Sequence, residues 1–334
     1  MIQQSELEKL TQLLSTPKQI TIVSHTNPDG DAIGSSLGLY HFLIQNKHNV
    51  KVIVPNAFPK FLAWMNDADK VMDYEKQTDD ADGFIQTSDI IFMLDFNNAS
   101  RIDALANPIE KSNAFKILID HHMQPDIMAN IIISDTSACA TCQLVFELID
   151  ILGLKRFINT DAAECLYCGI MTDTGSFRFD STSAKTHKIV AELIDLGVVK
   201  SKVHGAVYDT NTLDKLQLVS HCLCNNLHLH HNNKIAVITF DAEEQKKFNM
   251  QKGDTEGLVN HGLSINGVLV SGFFTERDGI IKISFRSKGK IDVNAFARKY
   301  FEGGGHVNAA GAKSTISLHD TVQKFIELSA ELIP

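Results

Sequence analysis

The fold class is decided by the stretch Gln19-Ile-Thr-Ile-Val-Ser-His25-Thr-Asn-Pro-Asp29-Gly-Asp31. Its first six residues have the apolar character of a buried strand, and the Asn, Pro, Asp and Gly that follow are typical of a turn. A helical pattern then extends from about Ala32 to Gln45. This order predicts a strand, a loop and a helix, which together form the basic unit of an α/β fold.

The same alternation continues along the first half of the chain. Further apolar runs occur at residues 50–54, 90–94, 116–119 and 131–133, with helical or polar stretches between them. Strands that alternate with helices predict a parallel sheet with helices on both of its faces. From about Cys139 to Gly197 the pattern is mainly helical.

The second half of the chain has a different pattern of apolar and polar residues, which begins after an amphipathic stretch at 212–226. Three β-rich runs at 234–240, 267–274 and 279–285 alternate with helical stretches near 255–263, 292–300 and 320–332. We therefore predict a smaller second α/β domain. The predicted limits are 1–199 for the first domain, 200–226 for a linker helix region and 227–334 for the second domain.

A glycine-rich segment, Gly303-Gly304-Gly305-His306, lies between the last predicted strand and the last predicted helix. Its glycines predict a flexible loop rather than a regular element. Because glycine has no Cβ, such a loop allows the backbone to approach a ligand closely.

Composition and charge limit the class of function. The chain is 44% apolar and 21% charged, as is usual for globular proteins. It has no apolar run of the roughly 20 residues that span a bilayer, and its first residues lack the pattern of a signal peptide, so we expect a cytoplasmic protein without a membrane partner. A net charge of −9 argues against binding long nucleic-acid duplexes. A short anionic substrate needs only a local group of cations.

Four of the six cysteines form two pairs with the CxxC spacing, Cys139 with Cys142 and Cys165 with Cys168. Both pairs lie in apolar segments with helical periodicity. We therefore expect small buried side chains rather than a zinc site or disulfides.

Acidic and histidine residues follow three predicted strands and end one predicted helix. The carboxyl ends of parallel strands meet at one edge of a sheet, where ligands collect. Carboxylates packed together repel one another unless cations lie among them. Oxygen and imidazole ligands without thiolates suit Mn²⁺ best, with Mg²⁺ or Co²⁺ as alternatives. The residues are His25, Asp29, Asp31, Asp95, Asp120, His121, His122 and Asp173.

Two such ions about 3.5–4 Å apart, sharing one carboxylate, would activate a water and bind phosphoryl oxygens. The sequence therefore predicts hydrolysis of a phosphoester.

These motifs resemble those of the DHH phosphoesterases, a family named after the tripeptide found here as Asp120-His121-His122. His25-x-Asn-Pro-Asp29-x-Asp31-x-x-Gly34-Ser35 resembles the first family motif, Asp95 the second and Asp173-Thr-Gly-Ser-Phe177 the fourth. The segment 303–311 resembles the DHH-associated C-terminal domain, so the resemblance covers nearly the whole chain. The two-domain layout is most similar to the branch of oligoribonucleases and pAp phosphatases. It is less similar to RecJ exonucleases or manganese pyrophosphatases.

The resemblance implies roles for individual residues. His25, Asp29 and Asp95 would hold one metal ion, and Asp31, Asp95, His121 and Asp173 would hold the other, so that Asp95 is shared. Within the catalytic set of Asp95, Asp120 and His122, the imidazole of His122 would face the substrate phosphate and Asp120 would orient an imidazole. The implied substrate contacts are Arg101, Arg286, Gly303, Gly304, Gly305 and His306.

The sequence departs from the family pattern at Gln143, where relatives often carry Glu, and at Phe96-Asn97-Asn98 after Asp95. Both changes spare the implied metal ligands, and we expect them to affect the rim of the substrate site.

The resemblance implies an active site in a cleft between the two domains and a substrate that is a short oligoribonucleotide, pAp, or both. Two alternatives stay open. The first is a phosphodiesterase for linear or cyclic dinucleotides, and the second is a sensor that binds a phosphorylated nucleotide without turnover. Exposed edge strands could also support a homodimer.

Overall fold

The computed structural model describes residues 2–126, 129–251, 253–277 and 279–333. The chain divides into two compact units, Met1–Thr210 and Asn211–Pro334. Each unit contains one six-stranded sheet with helices, so the predicted α/β class is confirmed. Among the described residues, no helix combines the length and the apolar character needed to cross a bilayer.

The first unit is built on a parallel sheet in the order β3-β2-β1-β4-β5-β6. Its strands are β1 Gln19–Val23, β2 Asn49–Val54, β3 Met72–Asp73, β4 Ile90–Leu94, β5 Phe115–Asp120 and β6 Ile131–Ser134. Ile20 of β1 pairs with Val50 on one side and with Ile90 on the other. The strand order therefore reverses at β1, and ligands of open α/β sheets bind at the carboxyl ends of strands beside such a reversal.

Helices cover both faces of this sheet. They are α1 Gln4–Leu14, α2 Gly30–Gln45, α3 Thr78–Gln86, α4 Ala106–Lys111, α5 Thr141–Ile151, α6 Thr160–Asp173, α7 Ala184–Asp195 and α8 Lys200–Tyr208. Alternate residues of β4 belong to different cores: Ile90 and Phe92 to the larger one, Ile91 and Met93 to the smaller. This alternation follows from the two-residue period of a strand. The prediction of helices on both faces is therefore confirmed.

Helices α2 and α6 approach each other closely through glycines. Gly30, Gly34 and Gly38 repeat every four residues and so lie on one face of α2. A Cβ added at Gly34 would lie 2.6 Å from the carbonyl oxygen of Cys165 in α6. Because these positions carry no side chain, the start of α2 lies directly against the end of α6, where Asp173 is the last residue.

The cysteines of both CxxC pairs are free and buried, as predicted. Burial raises the pKa of the Cys139 thiol to about 12 and that of the Cys142 thiol well above its usual value. These thiols therefore stay protonated at neutral pH, and a protonated thiol is a poor metal ligand.

The second unit has a mixed sheet in the order β11-β12-β10-β9-β8-β7, in which β8 and β9 are parallel and the other described neighbours are antiparallel. Its strands are β7 Leu227–His230, β8 Ile235–Phe240, β9 Val270–Arg277, β10 Ile280–Ser287, β11 Glu302–His306 and β12 Ala309–Ser314. Its helices are α9 Leu213–Asn225, α10 Ala242–Lys247, α11 Leu258–Leu263, α12 Val293–Tyr300 and α13 Leu318–Leu328. Phe274, Phe285 and Phe325 pack together in its core.

The prediction of a flexible loop at Gly303–His306 is wrong, because these residues form strand β11. The strand pairs with β12 in antiparallel register, with Gly304 opposite Gly311. A Cβ at Gly303 would lie 2.6 Å from the Cβ of Ala312. Gly303 and Gly305 are therefore required by close packing against β12, whereas a Cβ at Gly304 would meet the side chain of Arg298. Since they carry no side chains, they show no strand periodicity in the sequence.

Candidate metal centre

The carboxyl ends of β1, β4 and β5 and the end of α6 bring the predicted metal ligands together. His25 follows β1, Asp95 follows β4, His121 follows β5, and Asp173 ends α6. Asp29 and Asp31 come from the start of α2, which leaves the β1 loop. Asp31, Asp95, His25 and His121 are buried, each less than 6% exposed.

One group of ligand atoms comprises His25, Asp29 and Asp95. The Nε2 atom of His25 lies 3.9 Å from Asp29 Oδ2 and 3.4 Å from Asp95 Oδ2. Its Nδ1 lies 2.9 Å from the carbonyl oxygen of Thr26 and donates to it, which leaves Nε2 facing the carboxylates. The other oxygen of Asp29 accepts hydrogen bonds from the backbone amides of Asp31 and Ala32, so Asp29 also caps α2.

A second group comprises Asp31, His121 and Asp173. The Nε2 atom of His121 lies 3.8 Å from Asp31 Oδ2 and 3.4 Å from Asp173 Oδ2. It also lies 3.5 Å from Asp95 Oδ1. Asp95 therefore directs Oδ2 toward the first group and Oδ1 toward the second.

The backbone of Asp95 adopts a left-handed conformation, with φ at +66°. This conformation costs about 1–3 kcal/mol for a residue other than glycine, and such strain clusters at functional sites. The amide of Asp95 still donates to the carbonyl of Ile119, so the sheet hydrogen bonding continues to the point where the carboxylate leaves β4.

Burial and mutual repulsion strongly perturb the acids of this cluster. Burial raises the pKa of Asp173 to about 6 and the pKa of Asp31 well above its usual value, and the negative charge of Asp95 adds to both shifts. Burial opposes ionisation of Asp95 as well, but hydrogen bonds from His121 and His25 lower its pKa well below the usual range. Without cations, the cluster therefore retains protons that metal ions would displace.

Neighbouring carboxylates favour the charged form of both imidazoles in the cluster. Burial alone would lower the pKa of His121, but hydrogen bonding to Asp95 and the charge of Asp173 raise it well above its usual value. Burial also opposes the charged form of His25, but the hydrogen bond with Asp95, together with the negative charges of Asp29 and Asp95, raises its pKa. Buried carboxylates and imidazoles without a thiolate form a donor set that fits divalent ions such as Mn²⁺ or Mg²⁺.

His122 and Asp120 form a directly bonded pair beside this cluster. The Nδ1 atom of His122 lies 2.7 Å from Asp120 Oδ1 and 3.8 Å from Asp95 Oδ1. Asp120 is fully buried, and its second oxygen accepts no hydrogen bond from the part of the chain that the structure describes. The contact fixes the imidazole with Nε2 directed away from Asp120, as the predicted orienting role requires.

The remaining predicted contacts lie in two places. In the first unit, Arg101 ends a short 3₁₀ turn, Ala99–Arg101, after β4, and its carbonyl oxygen accepts a hydrogen bond from the amide of Thr26, next to His25, at 2.7 Å. Its positive charge opposes the rise in the pKa of His25, which burial opposes more strongly. In the second unit, Arg286 of β10 and His306 of β11 both lie opposite Ala309 of β12 and thus occupy one row across three strands. Gly303, Gly304 and Gly305 precede His306 in β11.

Sequence reasoning missed Thr141, the first residue of α5. Its hydroxyl donates to Asp95 Oδ1 at 2.9 Å, and its amide donates to Asp31 Oδ2 at 2.6 Å. A hydroxyl residue near the start of a predicted helix was the available signal, since such residues are favoured at the N-cap, although the N-cap here is Ala140. That signal does not reveal which distant carboxylates the residue contacts.

Comparisons with known proteins give consistent matches over most of the chain. Residues 19–170 match the DHH family, N-terminal domain, and residues 232–333 match the DHHA1 domain. The bifunctional oligoribonuclease and PAP phosphatase NrnA of Bacillus subtilis is 31% identical over 308 residues, which cover 91% of this chain and 92% of that protein. The protein of the same name from Thermus thermophilus is 31% identical, with 88% of this chain and 83% of that protein covered.

Solved structures also match this chain in fold over nearly its whole length. An exopolyphosphatase-related protein from Bacteroides fragilis has a TM-score of 0.94 and 40% identity, and the match covers 99% of this chain and 98% of that one. RecJ of Thermus thermophilus has a TM-score of 0.56 at 12% identity and covers 98% of this chain and 55% of that one, which shows a likeness of fold alone.

Proposed function

Because the chain belongs to the DHH family of metal-dependent phosphoesterases, we propose that it hydrolyses short oligoribonucleotides to mononucleotides, pAp to AMP and phosphate, or both. The family resemblance carried by the sequence motifs is thereby confirmed, and so is the assignment as a hydrolase of phosphoester bonds. Relatives that match nearly the whole chain are named for both activities, which supports the proposed substrates.

The observation that carries the proposal is the position of Asp95 between two groups of ligands. Its Oδ2 faces His25 at 3.4 Å, and its Oδ1 faces His121 at 3.5 Å. A carboxylate so placed is suited to bridge two ions. We propose that Asp95 is shared by one Mn²⁺ held with His25 and Asp29 and a second held with Asp31, His121 and Asp173.

When bound, such a pair of ions supplies a water that is deprotonated near neutral pH and neutralises charge on the phosphoryl oxygens. The protein's own groups then orient the substrate. His122, whose Nδ1–H donates to Asp120, directs Nε2 outward and, as an imidazolium, would donate from it to a non-bridging phosphate oxygen. Arg101 adds a nearby positive charge. Arg286, His306 and Gly303–Gly305 remain the proposed contacts for the rest of the substrate.

The preference for short substrates follows from charge. A net charge of −9 provides no general attraction for a polyanion, so binding must depend on a few local contacts and the metal ions. A di- or trinucleotide, or pAp, offers few phosphates and loses little from the absence of a long basic surface.

The test is an assay of the purified protein with Mn²⁺, Mg²⁺ or Co²⁺, with pAp, a ribodinucleotide, a cyclic dinucleotide, a long RNA and pyrophosphate offered in parallel. We expect turnover of pAp and the ribodinucleotide, fastest with Mn²⁺, and loss of both activities in Asp95→Ala. Activity restricted to pyrophosphate or long RNA would refute the substrate assignment. Preferred cleavage of the cyclic dinucleotide would select that alternative, and binding of pAp without any turnover would select the sensor.

A further inference from the structure

The first turn of α5 contacts two of the proposed metal ligands at once. The backbone amides of Thr141 and Cys142 donate to the two oxygens of Asp31, at 2.6 and 2.9 Å. The hydroxyl of Thr141 donates to Asp95 Oδ1 at 2.9 Å. Ala140, which precedes the helix, has no side chain that could cap it, so a carboxylate from α2 satisfies these amides instead.

The hydroxyl contact matters because a carboxylate rotates easily about its last bond. The terminal torsion of Asp has a broad energy profile, so the plane of the two oxygens is set by their hydrogen bonds and ligands. For Asp95 that plane decides whether Oδ2 faces His25 while Oδ1 faces His121. Thr141 donates to Oδ1, and so fixes the plane from the protein side.

Thr141 is itself held firmly enough to do this. It is fully buried, so the surrounding side chains leave its hydroxyl little room to move. Its amide is already bonded to Asp31, so its backbone cannot shift without breaking that bond.

We propose that Thr141 is a positioning residue of the metal centre, whose hydroxyl sets the plane of the Asp95 carboxylate so that the two oxygens address the two ligand groups. The proposal rests on the two-metal site described under the proposed function. A purely structural role can be separated from it, because the contacts that cap α5 come from the backbone. Thr141→Val keeps those amides and the shape of the side chain, and replaces only the hydroxyl with a methyl group.

The experiment measures Mn²⁺ binding to metal-free protein by calorimetry, and the coupling between bound ions by electron paramagnetic resonance. T141V is compared with T141S, which keeps the hydroxyl, and with Thr21→Val. Thr21 is a matched control, because it is also fully buried and its hydroxyl is hydrogen-bonded to the hydroxyl of Ser88, at 2.7 Å, rather than to a proposed metal ligand. We expect T141V to bind Mn²⁺ about 10–100-fold more weakly, because the loss of a group that orients a metal ligand usually has an effect of this size. We also expect T141V to lose the spectrum of a coupled pair of ions. T141S and T21V keep the parental affinity.

Two results would overturn the proposal: parental Mn²⁺ affinity with a coupled pair in T141V, or an equal loss of affinity in T141S. Thr141→Ala is measured alongside and forces no new contact, so the outcome does not depend on whether T141V folds. Parental affinity in T141A overturns the proposal, and a loss of affinity in T141A supports it.

Binding is measured without substrate, which separates this proposal from the proposed function. A parent protein that binds two ions but hydrolyses none of the offered substrates would refute the function and leave the role of Thr141 intact. A parent that binds no Mn²⁺ would refute the metal site and the role of Thr141 with it.

Discussion

The glycine contact between α2 and α6 gives a prediction that can be worked from distances. In Gly34→Ala, the new Cβ would lie 2.6 Å from the Cys165 carbonyl oxygen and 3.1 Å from the backbone nitrogen of Gly169. Ordinary contacts begin near 3.4 Å, so the backbones must separate by about 0.8 Å, the difference between 3.4 and 2.6. Both close atoms belong to the backbone of α6, so no side-chain rotation relieves the overlap.

The expected change in stability combines two opposing terms. Overpacking of this kind costs about 1–3 kcal/mol. Alanine is favoured over glycine inside a helix by about 1 kcal/mol. The matched control is Gly83→Ala in α3, because a Cβ there meets nothing within 4 Å. Both variants share the gain in helix propensity, so the difference between them isolates the steric cost.

The assay is urea denaturation of the metal-free protein, followed by Mn²⁺ titration. We expect G83A to gain about 1 kcal/mol in free energy of unfolding and G34A to fall about 1–3 kcal/mol below it. G34A should also bind Mn²⁺ more weakly, since separation of the helices displaces Asp31 from Asp173. Equal unfolding midpoints for the two variants would refute the reasoning.

Three further predictions follow from the cluster and its surroundings. The pKa of Asp173 is raised to about 6 and that of His121 well above its usual value, so Mn²⁺ must displace protons and its affinity should increase from about pH 5 to about pH 8; titrations that show no dependence on pH would contradict this. Gln143→Glu would place a carboxylate where the amide now donates to Glu147 at 2.9 Å. We expect the free energy of unfolding to fall by about 1–3 kcal/mol at pH 8 and by less at pH 5, because repulsion raises the pKa of the two carboxyl groups and one of them is protonated at the lower pH. An equal fall at pH 5 and pH 8, measured by urea denaturation, would exclude that repulsion. Chelation of metal ions should lower the melting temperature of the parent but not that of Asp95→Ala, and an equal drop in both would argue against a site at Asp95.

The sequence was sufficient for those parts of the structure that depend on local pattern. The apolar runs predicted β1, β2, β4, β5 and β6 to within one residue at every end. The polar residues after these strands predicted where side chains would meet, because parallel strands share one carboxyl edge.

Other parts depend on contacts that no local pattern encodes. Strand β11 has glycines where a strand normally alternates apolar and polar side chains, and its partner β12, Ala309–Ser314, is equally short of bulky residues. Thr141 contacts Asp31 across 110 positions of sequence. The local sequence can indicate that a helix starts near Thr141. Which carboxylates Thr141 contacts depends instead on how α5 packs against α2.

The wide spacing of the ligands along the chain also has a consequence for folding kinetics. The cluster draws on residues from His25 to Asp173, so it is incomplete until α6 has packed against α2. Ions that need the whole set stabilise the native state without stabilising the transition state to the same extent. They should therefore slow unfolding far more than they accelerate folding. Metal ions would then determine the lifetime of the folded first unit, and with it the unit's resistance to irreversible unfolding.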